Sequence, residues 1–177
     1  VYITPVAKGG QGTNLWFDVV VSFGLFPSNA PPVVQLSASA NRVGPGQQVT
    51  LSAAASDPNG DPMAFFWDFG DGTYGTNAAT VSKAWLKAGD YVVRCEVSDT
   101  KGGLTSKHLA VRVGVINTLR ISGRVIDTFG NPLANVRVHN GSITNNDFGD
   151  DYQWTYTDSD GTFTLANFAT NTTWELA

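Results

Sequence analysis

A chain of 177 residues is long enough for one large or two small domains, and 19 glycines with 8 prolines favour short strands joined by tight turns over long helices. The net charge of −4 argues against a nucleic-acid surface, which needs a basic patch to displace counterions from phosphates. No apolar run approaches the ~20 residues of a membrane span, and the single cysteine, Cys95, excludes an internal disulfide framework.

No stretch sustains helical periodicity, so the chain reads as all-β, and tandem immunoglobulin-like β-sandwiches are the expectation that turn spacing and the resemblances below imply, with the first and last domains incomplete. Residues 1–26 hold two strand-like runs, Val1 to Ala7 and Leu15 to Phe23, around a glycine-rich stretch. Trp16 and the Val19/Val21/Phe23 series are available to a buried face. Two strands are not stable alone. They are expected to be the last strands of a preceding domain, or a strand-exchange segment that completes a sheet of another chain. Pro27 to Pro32 is a stiff linker.

Six strands are then expected: Val33 to Ala38, Gln47 to Ala55, Ala64 to Phe69, Ala78 to Lys83, Gly89 to Ser98 and Leu104 to Val113. Turns at Gly44-Pro45-Gly46, Asp57 to Pro62, Asp71-Gly72 and Thr100 to Gly103 punctuate them at sandwich spacing. Phe65, Trp67 and Phe69 share one face of the third strand, and Asp68 points to the other, where it can accept backbone N–H groups of the turn it begins. Cys95 alternates with Tyr91, Val93 and Val97 on the core face, whereas Arg94 and Glu96 fall on the solvent face. Cys95 therefore reads as a buried structural thiol.

The run Trp67-Asp68-Phe69-Gly70-Asp71-Gly72, followed by Ala88 to Val93 with Tyr91 and by Val97-Ser98-Asp99, resembles the PKD (polycystic kidney disease) domain family over residues 33–114. Two positions depart from that pattern. Lys83 stands where a histidine is common, and Trp85 where tyrosine is usual, so no ligand contact by those side chains carries over. The resemblance implies a non-catalytic, secreted or cell-surface module within a larger polypeptide, engaging polysaccharide, extracellular protein or its neighbouring domains. Readings beside it are a surface filament or layer assembled by strand exchange, and the accessory tail of a peptidase or glycoside hydrolase.

Some PKD-like domains bind calcium beside the linker, and Asp57, Asn59 and Asp99 match those positions, while Asn29 stands at the approach to the first strand. The fold expected for the family brings the approach to the first strand, the loop after the second and the loop before the last to one end, and oxygen donors from three segments suit a hard cation. The plainer reading is that Asp57 and Asn59 form an Asx turn and Asp99 caps a hairpin. Asp68 and Asp71 belong to the opposite end and are expected to be structural.

Residues 119–177 run from Leu119 to Asp127, through Gly130-Asn131-Pro132-Leu133 and Val136 to Val138, to Thr157-Asp158-Ser159-Asp160-Gly161 and Thr162 to Leu165. That order resembles the carboxypeptidase regulatory-like (transthyretin-like) β-sandwich family, with Asn140 to Asp151 as an inserted surface loop. Asp158 and Asp160 repeat an Asp-x-Asp-Gly pattern.

Catalysis finds little support. Zinc needs several imidazole or thiolate ligands at local spacing, and His108 and His139 lie in different domains, each expected to face solvent without a partner. No nucleophile elbow is present. Paired carboxylates at ~5–10 Å would serve a glycosidase, and Asp147, Asp150 and Asp151 sit in the insertion. Trp154, Tyr152 and Tyr156 either stack on sugar rings or fill one face of the last sandwich. Asn140-Gly141-Ser142 and Asn171-Thr172-Thr173 fit glycosylation acceptors.

Overall fold

The computed structural model describes residues 1–11, 14–26, 28–114, 118–140 and 154–169, and among these there are strands and turns but no helix. Strands β1 (Tyr2–Gln11) and β2 (Asn14–Ser22) pair antiparallel with each other, Tyr2 opposite Ser22 and Gln11 opposite Asn14, with a bulge between Pro5 and Ala7. The two runs expected to belong to another sheet thus make a hairpin of their own.

Next come β3 (Val33–Ala38), β4 (Arg42–Val43), β5 (Gln48–Ser56), β6 (Ala64–Asp68), β7 (Thr80–Ala84), β8 (Gly89–Ser98) and β9 (Leu104–Val113). They form two sheets, ordered β3-β5-β7 and β4-β9-β8-β6. Period-two alternation sends Val49, Leu51 and Ala53 inward from one sheet, and Trp67, Val93, Cys95, Val97, Val111 and Val113 inward from the other. Phe65 packs against this core from its edge. β3, β8 and β9 occupy the expected residues, β5 is shifted by one residue, β6 ends one residue early, and β7 starts two residues late and ends one late. β4 has only two residues, pairs parallel with β9, and offers too short a pattern to read from sequence.

The last described part contains β10 (Thr118–Arg124), β11 (Arg137–His139), β12 (Trp154–Tyr156) and β13 (Thr162–Ala169). β10 pairs with β13, and β11 with β12, giving two small antiparallel sheets with Val138, Phe163 and Leu165 between them and Ile121 and Val125 packed alongside. The whole is an all-β molecule of packed sheets.

The outer face of β6, β8 and β9 decides the arrangement of the molecule. Arg94 and Glu96 lie there as expected, but that face does not look onto solvent. The β1–β2 hairpin lies over β6: Lys8 Nζ donates to Tyr74 Oη at 2.9 Å and sits 4.3 Å from that ring's centre, and Thr4 Oγ1 lies 3.4 Å from Ser98 Oγ. Residues of the last part cover β8 and β9. Alternation along a strand identifies two faces, and only tertiary structure shows that both are occupied.

Candidate functional site

The Trp67–Gly72 run closes one pole of the central sandwich. Trp67 is fully buried, and its Nε1–H donates to Ala78 O at 2.9 Å. Phe69 is buried beside it and meets Trp85 edge-on. Asp68 Oδ1 accepts Gly70 N–H at 2.8 Å, and Asp71 Oδ1 accepts Thr73 N–H at 3.0 Å. Gly70 needs its missing Cβ, since φ is 72° and a Cβ there would stand 2.6 Å from Val92 O. Gly72 also has positive φ, at 78°.

The two departures from the PKD pattern act together here. Lys83 pairs with Asp71 at 2.7 Å and lies 5.1 Å from the Phe69 ring centre. Trp85 is buried, donates Nε1–H to Phe69 O at 3.2 Å and stacks on Tyr91 at 5.3 Å. Tyr91 Oη in turn donates to Lys87 O at 3.0 Å, tying the strand start to the preceding turn. Burial pushes the Cys95 thiol up to about 12, with the Glu96 charge adding to it.

At the opposite pole the linker meets two loops. Asn29 Nδ2 donates to Asp99 Oδ2 at 2.5 Å, and Asn59 Oδ1 accepts Ala30 N–H at 2.8 Å. Asp57 Oδ1 accepts Asn59 N–H at 2.8 Å and Asp61 N–H at 3.0 Å, which is an Asx turn. Asp99 Oδ1 accepts Lys101 N–H and Gly103 N–H, which is the hairpin cap. Lys101 also pairs with Asp61. Asp57 Oδ2 is buried and has no hydrogen-bond partner among the described residues. The four residues singled out for calcium therefore come from three segments to one pole, with turn and cap bonds occupying much of their capacity. Among the described residues no three His, Cys, Asp or Glu side chains converge as metal ligands, so a cation here would lean on amide and carbonyl oxygens.

The sheet face of β8 and β9 holds the polar cluster that sequence reading missed. Asp90, 2% exposed, accepts Arg112 Nε–H at 2.8 Å and Nη2–H at 2.6 Å, and also Arg120 Nη2–H at 2.7 Å from β10. Burial alone would raise the Asp90 carboxyl, but the two guanidiniums outweigh it and hold it at about 2. His108 has partners after all: Nδ1 lies 2.5 Å from Asp158 Oδ2, and Nε2 lies 3.0 Å from Thr164 Oγ1. It fails to face solvent because the turn before β13 caps it. Ser106 and Ser159 exchange backbone-to-hydroxyl bonds at 3.0 and 3.1 Å, and Lys107 pairs with Asp160. The Asp158-x-Asp160 pattern is thus spent on a junction between sheets. Ser106, His108 and Arg112 share one face of β9 by alternation, but their partners lie 22 to 56 positions away.

Between this junction and the Trp67–Gly72 pole lies a cavity of about 320 Å³, lined by Asp68, Tyr74, Arg94, Trp154, Tyr156 and Asp158 among others. Trp154 and Tyr156 do not fill a sandwich face; they are 52% and 39% exposed. Tyr152, Asp147, Asp150, Asp151, Gly141-Ser142 and Asn171-Thr172-Thr173 lie outside the described residues.

Residues 29–113 match the family model described as PKD domain. A pre-pro-metalloprotease, PrtV, of Vibrio cholerae serotype O1 is 34% identical over 74 residues, 42% of this chain and 8% of that protein. Collagenase ColA of Clostridium perfringens is 29% identical over 113 residues, 63% of this chain and 9% of its own length. The chain therefore spans about a tenth of these curated relatives. Among solved structures, the PKD1 domain of the Vibrio cholerae metalloprotease PrtV is 27% identical, with 48% of this chain and 99% of that chain covered at a TM-score of 0.41. The PKD domain of an M14-like peptidase from a Thermoplasmatales archaeon is 24% identical, with 49% and 98% covered at a TM-score of 0.45. Residues 29–113 of this chain form a PKD domain.

Proposed function

We propose that this segment is a non-catalytic part of a larger secreted or cell-surface protein, in which the PKD domain and the β-sheets after it hold neighbouring domains at a fixed distance and orientation. The observation that carries the reading is the Asp90 clamp, one buried carboxylate shared by Arg112 of the PKD sheet and Arg120 of the following segment. A flexible tether has no use for a desolvated ion pair across its joint, since breaking one leaves a buried charge unpaired. The matched relatives support the setting: they are long proteins named as a metalloprotease and a collagenase, and the matched stretch is a small share of each. An accessory region of a secreted peptidase fits that pattern.

The segment after the PKD domain fits a carboxypeptidase regulatory-like β-sandwich spanning residues 119–177, on the order β10, Gly-Asn-Pro-Leu turn, β11, β12, Asp-x-Asp-Gly turn, β13. Differential scanning calorimetry tests the coupling. One transition with calorimetric and van't Hoff enthalpies in agreement is expected, and two well-separated transitions in the wild-type chain would overturn it.

Calcium at the linker pole is a second reading, favoured by the buried, unpartnered Asp57 Oδ2. Asp57, Asn59, Asp99 and the Asn29 amide oxygen would supply the donors. Chelator is expected to lower the melting temperature, and Asp57→Ala with Asp99→Ala to abolish that difference; identical melts with and without chelator remove calcium from the account. Self-assembly through the hairpin is a third, favoured by the exposure of Ile3, Phe17, Val19 and Phe23. Light scattering decides it, since strand exchange or face-to-face packing demands mass that grows with concentration, and a monomer at all concentrations sinks it.

A further inference from the structure

We infer that the cavity between the PKD sheet and the following segment is a binding site for a neutral saccharide chain. One wall is aromatic. Trp154 and Tyr156 project from the same face of β12, edge to face with ring centres 5.5 Å apart, and both remain substantially exposed although large rings favour burial. The Arg137 guanidinium lies 5.4 Å from the Trp154 ring centre and holds its orientation. Planar rings held open at a cavity mouth offer the apolar C–H face of a pyranose a stacking surface at little conformational cost.

The opposite wall is polar. Asp68, Tyr74 and Arg94 line it from the PKD sandwich. Beneath them, Arg94 Nε and Asp158 Oδ1 lie 3.5 Å apart, both buried and neither with a hydrogen-bond partner among the described residues. Asp158 is itself 1% exposed, so the two atoms face each other as a buried ion pair that closes the cavity on this side. Sugar hydroxyls would instead meet the Asp68 carboxylate and the Tyr74 hydroxyl, which line the cavity.

Charge selects the ligand class. The carboxylates of Asp68, Asp90 and Asp158 balance the guanidiniums of Arg94, Arg112 and Arg120. The cavity therefore has no cationic excess to attract an acidic polymer, and a neutral one fits. The site exists only because the two parts are joined, yet saccharide binding and rigid coupling fail separately: calorimetric unfolding reads the joint, and titration reads the cavity.

The test is isothermal titration of the chain with cellohexaose, mannohexaose and an N-acetylglucosamine hexamer, with polygalacturonate as the acidic comparison. At least one neutral hexamer is expected to bind with Kd between about 10 µM and 1 mM. Trp154→Ala or Tyr156→Ala should weaken it by about tenfold, the scale of one aromatic contact. Trp154→Phe should retain most of the affinity, and all three variants should melt with the wild type because the rings are exposed. No heat from any neutral hexamer, tighter binding of polygalacturonate, or affinity unchanged in both alanine variants would overturn the assignment.

Discussion

At Asp90 a carboxylate with almost no accessible surface sits between two guanidiniums, and its acidity records that environment. Its folded carboxyl lies at about 2, against ~3.9 for an unperturbed aspartate. Because the folded value is depressed, the stabilisation is complete above pH ~4 and is lost as pH falls through about 2. The shift corresponds to about 2 kcal/mol. Denaturant unfolding at pH 7, 4 and 2 should show the gap between wild type and Asp90→Asn shrinking by about that amount at the acid end; an equal gap at all three values contradicts the clamp. Trp67 is the apolar counterpart, and Trp67→Ala should cost about 3–5 kcal/mol in urea unfolding because the cavity left among rigid strands collapses only in part. Trp67 and Cys95 were legible in the sequence because alternation places them inward. Asp90 was not, since a single aspartate beside a tyrosine carries no mark of the arginines that reach it from 22 and 30 positions away.

Strands obey local rules more closely than their ends do. β3, β8 and β9 fall on the residues that alternation and turn chemistry mark, whereas β7 starts two residues later than alternation suggests. The turn after β6 is similarly local. Gly70→Ala should destabilise by about 1–3 kcal/mol, since φ is positive and the new methyl would meet Val92 O. Equilibrium unfolding of this variant beside Gly46→Ala, where φ is also positive but space is open, separates close approach from backbone strain. Equal losses at the two positions would show that strain alone matters. The β1–β2 hairpin was readable as two strands but not as partners of one another, because period-two patterning sets faces and leaves pairing open.

Across the whole molecule, the outer face of one sheet organises everything else. The hairpin covers its β6 side and the segment from β10 to β13 covers β8 and β9, so PKD sandwich and neighbour share a wall. Sequence reading assigned Arg94 and His108 to solvent because polar residues alternate there, and a polar docking face has the same pattern as a wet one. The most direct measurement of the resulting rigidity is the set of backbone residual dipolar couplings from the weakly aligned chain in solution. Couplings from residues 33–113 and from 118–140 with 154–169 should fit one alignment tensor with the orientation seen here. Two tensors of different magnitude for the two groups would show independent tumbling and contradict a fixed joint.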